Sequence, residues 1–110
     1  MDDLFTVATD LGQRVLIPGR YGPITINTLG FRGEEIEPVK PAGALRLAFL
    51  GASTTFCAEV SSDAATWPDR VAKSIAESLP GLQVDYVNAG VPGYTLNNMD
   101  RMLEKRVAPL

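Results

Sequence analysis

The sequence has no histidine among its 110 residues and only one cysteine, Cys57. A Ser-His-Asp triad needs an imidazole to accept the proton of the nucleophilic hydroxyl, so this chain does not complete such a triad by itself. One cysteine excludes an internal disulfide and the cysteine spacing of a structural zinc site. We therefore expect neither a metal ion nor a cofactor.

A basic excess and a long apolar run are also absent. The formal net charge is -3 with no block of basic residues, which argues against a nucleic-acid partner. No uncharged apolar run approaches the roughly 20 residues of a membrane helix, and the N-terminus lacks the basic-then-apolar pattern of a signal peptide. These absences predict no membrane partner. They leave the localisation open, with the cytoplasm as the default and export of a precursor still possible.

What is present divides into two segments. Residues 1–43 are rich in Gly and Pro, and we interpret them as an N-terminal extension. Within them "GPITIN" (22–27) alternates apolar and polar residues, which predicts a short exposed strand. The stretch "EPVKPAG" (37–43) reads as a linker because its two prolines interrupt any regular element.

Residues 44–110 have the pattern of a βαβα unit. The near-continuous apolar run "ALRLAFL" (44–50) predicts a parallel strand buried on both faces. "LQVDYVN" (82–88) has one polar face and predicts an edge strand. Two parallel strands bury little surface and leave an open edge. We therefore expect this segment to be the first, truncated part of a larger α/β domain.

Each of the two predicted helices has a threonine cap and an apolar face. Thr66 is a good N-cap for a helix that ends at Pro80-Gly81, and Thr95 for a second helix towards residue 110. The predicted core face of the first helix is formed by Trp67, Val71, Ile75 and Leu79. That of the second is formed by Leu96, Met99, Leu103 and Val107.

The loops after the two strands are the candidate site, because ligands of open parallel sheets bind beyond the carboxyl ends of the strands. In "GASTTFCAEV" (51–60), Ser53 follows a glycine and an alanine, so its hydroxyl and its N–H can face a crevice. In "NAGVPGYT" (88–95), the N–H of Gly93 precedes a helix and can donate to an oxyanion or a phosphate. The alternative for both loops is a simple turn.

Other residues in these segments have plainer interpretations. Asn88 is expected to fasten the loop backbone, Cys57 to be a small packed residue, and three acids to be solvated: Glu59, Asp63 and Asp69. Dinucleotide binding is disfavoured because the first loop has no Gly-x-Gly-x-x-Gly and the second strand ends in an amide, not an acid.

Taken together, the two loops resemble those of the SGNH hydrolase family, the GDSL-type esterases and lipases. The strand followed by "LGASTTF" (50–56) matches the family's first block, and "VNAGVPGYT" (87–95) matches its second. The segment containing "INTLGFRGEE" (26–35) is also similar to one branch of the family. The resemblance implies the N-terminal portion of a three-layer α/β/α, flavodoxin-like domain with a parallel sheet. It further implies Ser53 as nucleophile and the N–H groups of Ser53 and Gly93 as oxyanion donors.

The expected activity is hydrolysis of a carboxylic ester, such as an O-acetyl group on a carbohydrate or another small molecule, through an acyl-serine. The family's later blocks, with a further Asn and the Asp-x-x-His, have no counterpart here, so the base would come from a missing C-terminal part and this chain alone is expected to be inactive. A non-catalytic binding module and an acyltransferase on the same scaffold remain alternatives. Arg32 is a candidate for binding an anionic substrate, or for a surface ion pair with Glu34 or Glu35.

Overall fold

The computed structural model describes residues 4–110 and has mixed α/β architecture. The strands are β1 (Phe5–Ala8), β2 (Gln13–Leu16), β3 (Gly19–Tyr21), β4 (Ile24–Ile26), β5 (Leu45–Gly51) and β6 (Val84–Gly90). The α-helices are α1 (Ser53–Phe56), α2 (Trp67–Ser78) and α3 (Leu96–Met102), with a short 3-10 turn at Asp63–Ala65 and a π-helical turn at Leu103–Val107.

The predicted βαβ unit is present. β5 and β6 pair in parallel, in register from Leu45 opposite Val84 to Gly51 opposite Gly90. The N–H of Val91 donates to the carbonyl of Gly51 at 3.2 Å, which extends the ladder by one bond past the last pair. The loops that follow the two strands therefore leave the same edge of the sheet, next to each other.

The ends of α2 agree with the prediction, but its exposed face does not. Thr66 accepts a hydrogen bond from the N–H of Asp69, as expected of an N-cap. The predicted core stripe is nevertheless half open, since Trp67, Val71 and Leu79 are 44%, 38% and 45% exposed. The helix packs against β6 and the 3-10 turn, and its buried residues are Pro68, Asp69 and Ala72.

The burial predicted for β5 and the edge position predicted for β6 both differ from the structure. β5 was expected to be buried on both faces, but most of its residues are half-buried and Ala48 is exposed. β6 was expected at the sheet edge, but a bridge between Arg32 and Asn88 lies on the side of β6 away from β5. The first part of the chain thus covers the edge that the polar alternation of β6 suggested.

The N-terminal extension contains more strand than its sequence predicted. Two antiparallel hairpins, β1–β2 and β3–β4, precede the loop that carries Arg32. The predicted strand at 22–27 exists as β4, but it is not exposed: Ile24 and Ile26 are 5% and 2% accessible. Pairing with β3 and a bridge from Ile26 to Arg32 bury these side chains against the remainder of the sheet.

The helix after β6 starts as predicted and then changes pitch. Thr95 and Asn98 form a reciprocal capping box. Of the predicted core face, Val107 is buried and Met99 is partly buried against the core, whereas Leu96 and Leu103 are 80% and 41% exposed. Met102 is buried as well, and the π-helical turn that follows it aligns residues five apart, such as Met102 and Val107.

One hydrophobic core joins the two predicted segments. Leu4, Leu16 and Ile26 from the extension pack in the same buried cluster as Phe56 and Val87. No helix within residues 4–110 is both long enough and apolar enough to cross a bilayer.

Candidate functional site

The loop after β5 presents Ser53 at the start of a one-turn helix. α1 begins at Ser53, and no side chain caps it. The N–H groups of a first helical turn have no acceptor inside the helix, so the Ser53 amide is available to a ligand. The Ser53 side chain is exposed, while Thr55 and Phe56 behind it are buried. Ser53, the predicted nucleophile, is therefore accessible, and buried residues pack beneath it.

The loop after β6 presents Gly93 in a tight turn. The N–H of Tyr94 donates to the carbonyl of Val91 at 3.1 Å, with Pro92 and Gly93 in the central positions. Gly93 has φ +87°, and this combination is typical of a type II turn. The turn bond does not use the Gly93 N–H, so that amide is free to face the neighbouring loop.

Asn88 ties the two loops together, as the sequence suggested. Its side-chain amide donates to the carbonyl of Thr55 at 3.0 Å, and its Oδ1 accepts from the N–H of Gly90 at 3.0 Å. Asn88 is 1% exposed, so both bonds lie out of water. The Asn88 side chain thus fixes α1 to the end of β6.

Arg32 occupies a different place from either one predicted for it. It is 1% exposed, and its Nη1 donates to the carbonyls of Phe56 and Cys57 at 2.8 and 2.6 Å. Its Nε pairs with Asp63 at 2.9 Å, not with Glu34 or Glu35. The guanidinium therefore supports the Ser53 loop from beneath.

The bonds from Arg32 also satisfy the free end of α1. The last carbonyls of a helix have no intrahelical donor, and here the guanidinium supplies one. Cys57 follows α1 in the left-handed conformation (φ 60°), which costs a non-glycine residue about 1–2 kcal/mol. Its side chain is buried, as predicted, and its thiol donates to the carbonyl of Thr54 at 3.1 Å.

A buried asparagine folds the segment that delivers Arg32. The Oδ1 of Asn27 accepts from the N–H groups of Leu29 and Phe31, and its amide donates to the carbonyl of Glu34. These bonds supply partners for backbone groups that the turn would otherwise leave unpaired. Asn27 is 2% exposed and positions the loop so that Arg32 points inward.

Two acids that were expected to be solvated are structural. Asp63 accepts from Arg32 and from the N–H of Thr25, and its side chain is 24% exposed. Asp69 is 4% exposed and accepts from the hydroxyl of Tyr86 at 2.7 Å. Burial and the adjacent Asp69 carboxylate raise the pKa of the Tyr86 phenol well above its ordinary value, so it stays a donor.

The first hairpin contacts the Gly93 loop, and the sequence did not predict this contact. Arg14 on β2 donates from Nη2 to the carbonyl of Pro92 at 3.0 Å, and the hydroxyl of Tyr94 donates to the carbonyl of Arg14. Gln13 exchanges hydrogen bonds with Asn98. Burial raises the pKa of the Tyr94 phenol, which keeps its proton in place. Only the register of β1 with β2 aims these side chains at a loop about 80 residues later.

A cavity lies away from both of these loops. A volume of about 420 Å³ opens between the β1–β2 hairpin, residues 28–31 and the end of α3, and neither Ser53 nor Gly93 lines it. Within the described part of the chain, no three His, Cys, Asp or Glu side chains gather as possible metal ligands. The arrangement around Ser53 offers a hydroxyl and backbone amides, which suit an acyl or oxyanion group.

No protein-family model matches the chain, and no curated protein is significantly similar to it.

Proposed function

We propose that this chain carries the nucleophile and oxyanion-binding half of an SGNH-type serine ester hydrolase. The observation that carries the proposal is the register of β5 with β6, which ends the two strands at Gly51 and Gly90 and sends both loops from one edge. In this proposal the hydroxyl of Ser53 and the amides of Ser53 and Gly93 act together on one bound ester. The flavodoxin-like order of the whole domain is part of the same proposal.

The proposed reaction is acyl transfer to serine followed by hydrolysis. The Ser53 hydroxyl attacks the ester carbonyl, and its proton passes to a base. The carbonyl oxygen becomes an anion that accepts from the two amides, the alcohol leaves, and water releases the acyl group. Because the sequence has no histidine, an imidazole base would have to come from outside these 110 residues.

Turnover of p-nitrophenyl acetate by the protein as its gene encodes it tests the proposal. We expect Ser53→Ala to lower kcat by a factor of at least about 10³, since only binding and oxyanion stabilisation remain without the nucleophile. Ser61→Ala, an exposed serine a few residues along, is the matched control and should keep full activity. Equal rates in Ser53→Ala and wild type would contradict a nucleophilic role.

A non-catalytic binding module is the second candidate, and the absence of histidine is the observation that favours it. Such a module would use the same crevice and amides to hold an ester or carbohydrate without cleaving it. It predicts no turnover by any form of the protein, together with saturable binding that Ser53→Ala leaves nearly unchanged.

A further inference from the structure

We propose that Arg14 binds an anionic group of the substrate, so that the protein prefers esters that carry a carboxylate or phosphate. This inference rests on the proposed function, because it names the class of ester that the Ser53 crevice accepts. It assigns to Arg14 the anion-binding role that the sequence suggested for Arg32.

Arg14 is exposed and yet held in position. Its guanidinium lies 4.7 Å from the centroid of the Phe5 ring and donates to the Pro92 carbonyl. The Tyr94 hydroxyl fixes its backbone. An arginine held by such contacts loses less side-chain entropy when it binds a ligand than one that moves freely in water.

Arg14 also lies close to Gly93, the predicted oxyanion donor. A Cβ added to Gly93 would clash with the Nη2 of Arg14, so the guanidinium lies directly against this glycine. A substrate whose carbonyl oxygen faces the Gly93 amide would therefore have its neighbouring substituents beside a cation. The guanidinium fork matches carboxylate and phosphate oxygens in geometry and charge.

The charges around the two loops also favour Arg14 as the anion-binding group. The loop of residues 88–95 contains no charged side chain, and the loop of residues 51–60 contains one, the exposed Glu59. Arg32 is paired with Asp63 and Arg106 with Asp10, whereas Arg14 forms no ion pair with any carboxylate of residues 4–110. The protein carries a net charge of -3, so an anionic ester would be repelled overall and needs a local cation to be held.

The test compares p-nitrophenyl acetate with two anionic esters, one that shares its leaving group and one that shares its acyl group. For the protein as its gene encodes it, kcat/KM is measured for p-nitrophenyl acetate, mono-4-nitrophenyl succinate and 4-acetoxybenzoate. The second ester places a carboxylate on the acyl side, and the third places one on the alcohol side. We expect Arg14→Gln to lower kcat/KM for at least one anionic ester by about tenfold more than it lowers kcat/KM for p-nitrophenyl acetate, as for the loss of one charge-assisted hydrogen bond.

Two control variants separate charge recognition from packing. Arg14→Lys keeps the charge and should lose less than Arg14→Gln, and added salt should weaken the preference of the wild type. Arg20→Gln removes the same charge from an exposed position on β3 and should leave all three rates unchanged. Equal losses on the neutral and anionic esters in Arg14→Gln, or no loss on either anionic ester, would overturn the proposal.

A binding measurement keeps this inference separable from the proposed function. In a titration of wild-type protein with benzoate and then inorganic phosphate, followed by NMR, we expect the Arg14 Nε–H resonance to shift saturably and the Arg20 resonance to stay in place. If no ester is hydrolysed but this shift occurs, the proposed function fails and the anion site stands. If esters are hydrolysed but the resonance does not move, the anion site fails alone.

Discussion

Arg32 is the residue on which the nucleophile loop depends most. Its side chain meets two carbonyls at the end of α1, one carboxylate and, at 5.2 Å, the Phe56 ring. The carbonyls and Asp63 come from different parts of the chain, so removing the cation would leave several buried acceptors unpaired at once. Its Nη2 is buried without a hydrogen-bond partner in residues 4–110.

We predict that Arg32→Met lowers the free energy of unfolding by about 3 kcal/mol, as is usual when one partner of a buried pair is removed. The change would be measured by urea denaturation of the protein. Arg20→Met, at an exposed arginine, should stay within about 0.5 kcal/mol of wild type. Similar stability of the two variants would show that the Arg32 contacts do not support the loop.

At this scale the sequence predicted the residues whose roles are local. Asn88 accepts from the N–H of Gly90 beside it, and Cys57 packs within its own turn, so short-range reasoning sufficed for these contacts. The bond from Asn88 to Thr55 spans 33 residues and was not predictable in this way. Asp63 and Arg32 were misplaced because their partners lie 31 residues apart and meet only after the N-terminal segment folds against β6. A charge pattern along the chain does not reveal such a pair.

Among the elements, α1 depends on a glycine in the strand beneath it. A Cβ on Gly90 would lie 2.6 Å from the amide nitrogen of Phe56 and 2.8 Å from the carbonyl carbon of Thr55. These are backbone atoms of α1, which do not move aside as a flexible side chain would. The one-turn helix therefore sits directly on β6, and Ser53 is placed by backbone contact.

We predict that Gly90→Ala lowers the free energy of unfolding by about 2 kcal/mol or more through overpacking, and that it shifts α1 and Ser53 outward. Urea denaturation measures the stability, and the amide NMR shifts of residues 53–57 report the displacement. Gly12→Ala is the control: its φ is +68° but no atom lies within 4 Å of the added Cβ, so only a backbone cost of about 1 kcal/mol is expected. Unmoved α1 resonances in Gly90→Ala would contradict direct packing.

Element ends were more predictable than element faces. The caps at Thr66 and Thr95 are local hydrogen bonds, and both helices begin where the sequence placed them. Faces depend on what covers an element. The apolar stripe of α2 therefore stays half open, and in the last helix Leu96 and Leu103 are exposed, whereas Met99 and Val107 of the same predicted face are packed in or against the core.

On the scale of the whole molecule, the N-terminal extension contributes to the core and to the candidate site. Its hairpins bury Leu16 and Ile26 in the common core, bring Arg32 beneath the Ser53 loop and rest Arg14 against the Gly93 turn. From the sequence we predicted only one strand and a linker in this extension, because strands of three or four residues leave little periodicity to detect. The β5–β6 unit was found because its apolar strand and capped helix are long and regular.

We propose Ser53 as the nucleophile of this protein. Labelling with a serine-directed fluorophosphonate, followed by peptide mapping, tests this role in the protein as its gene encodes it. We predict that the label is found on the peptide containing Ser53, is lost in Ser53→Ala and is retained in Ser61→Ala. Labelling of Ser53→Ala to the same extent as wild type would contradict the claim.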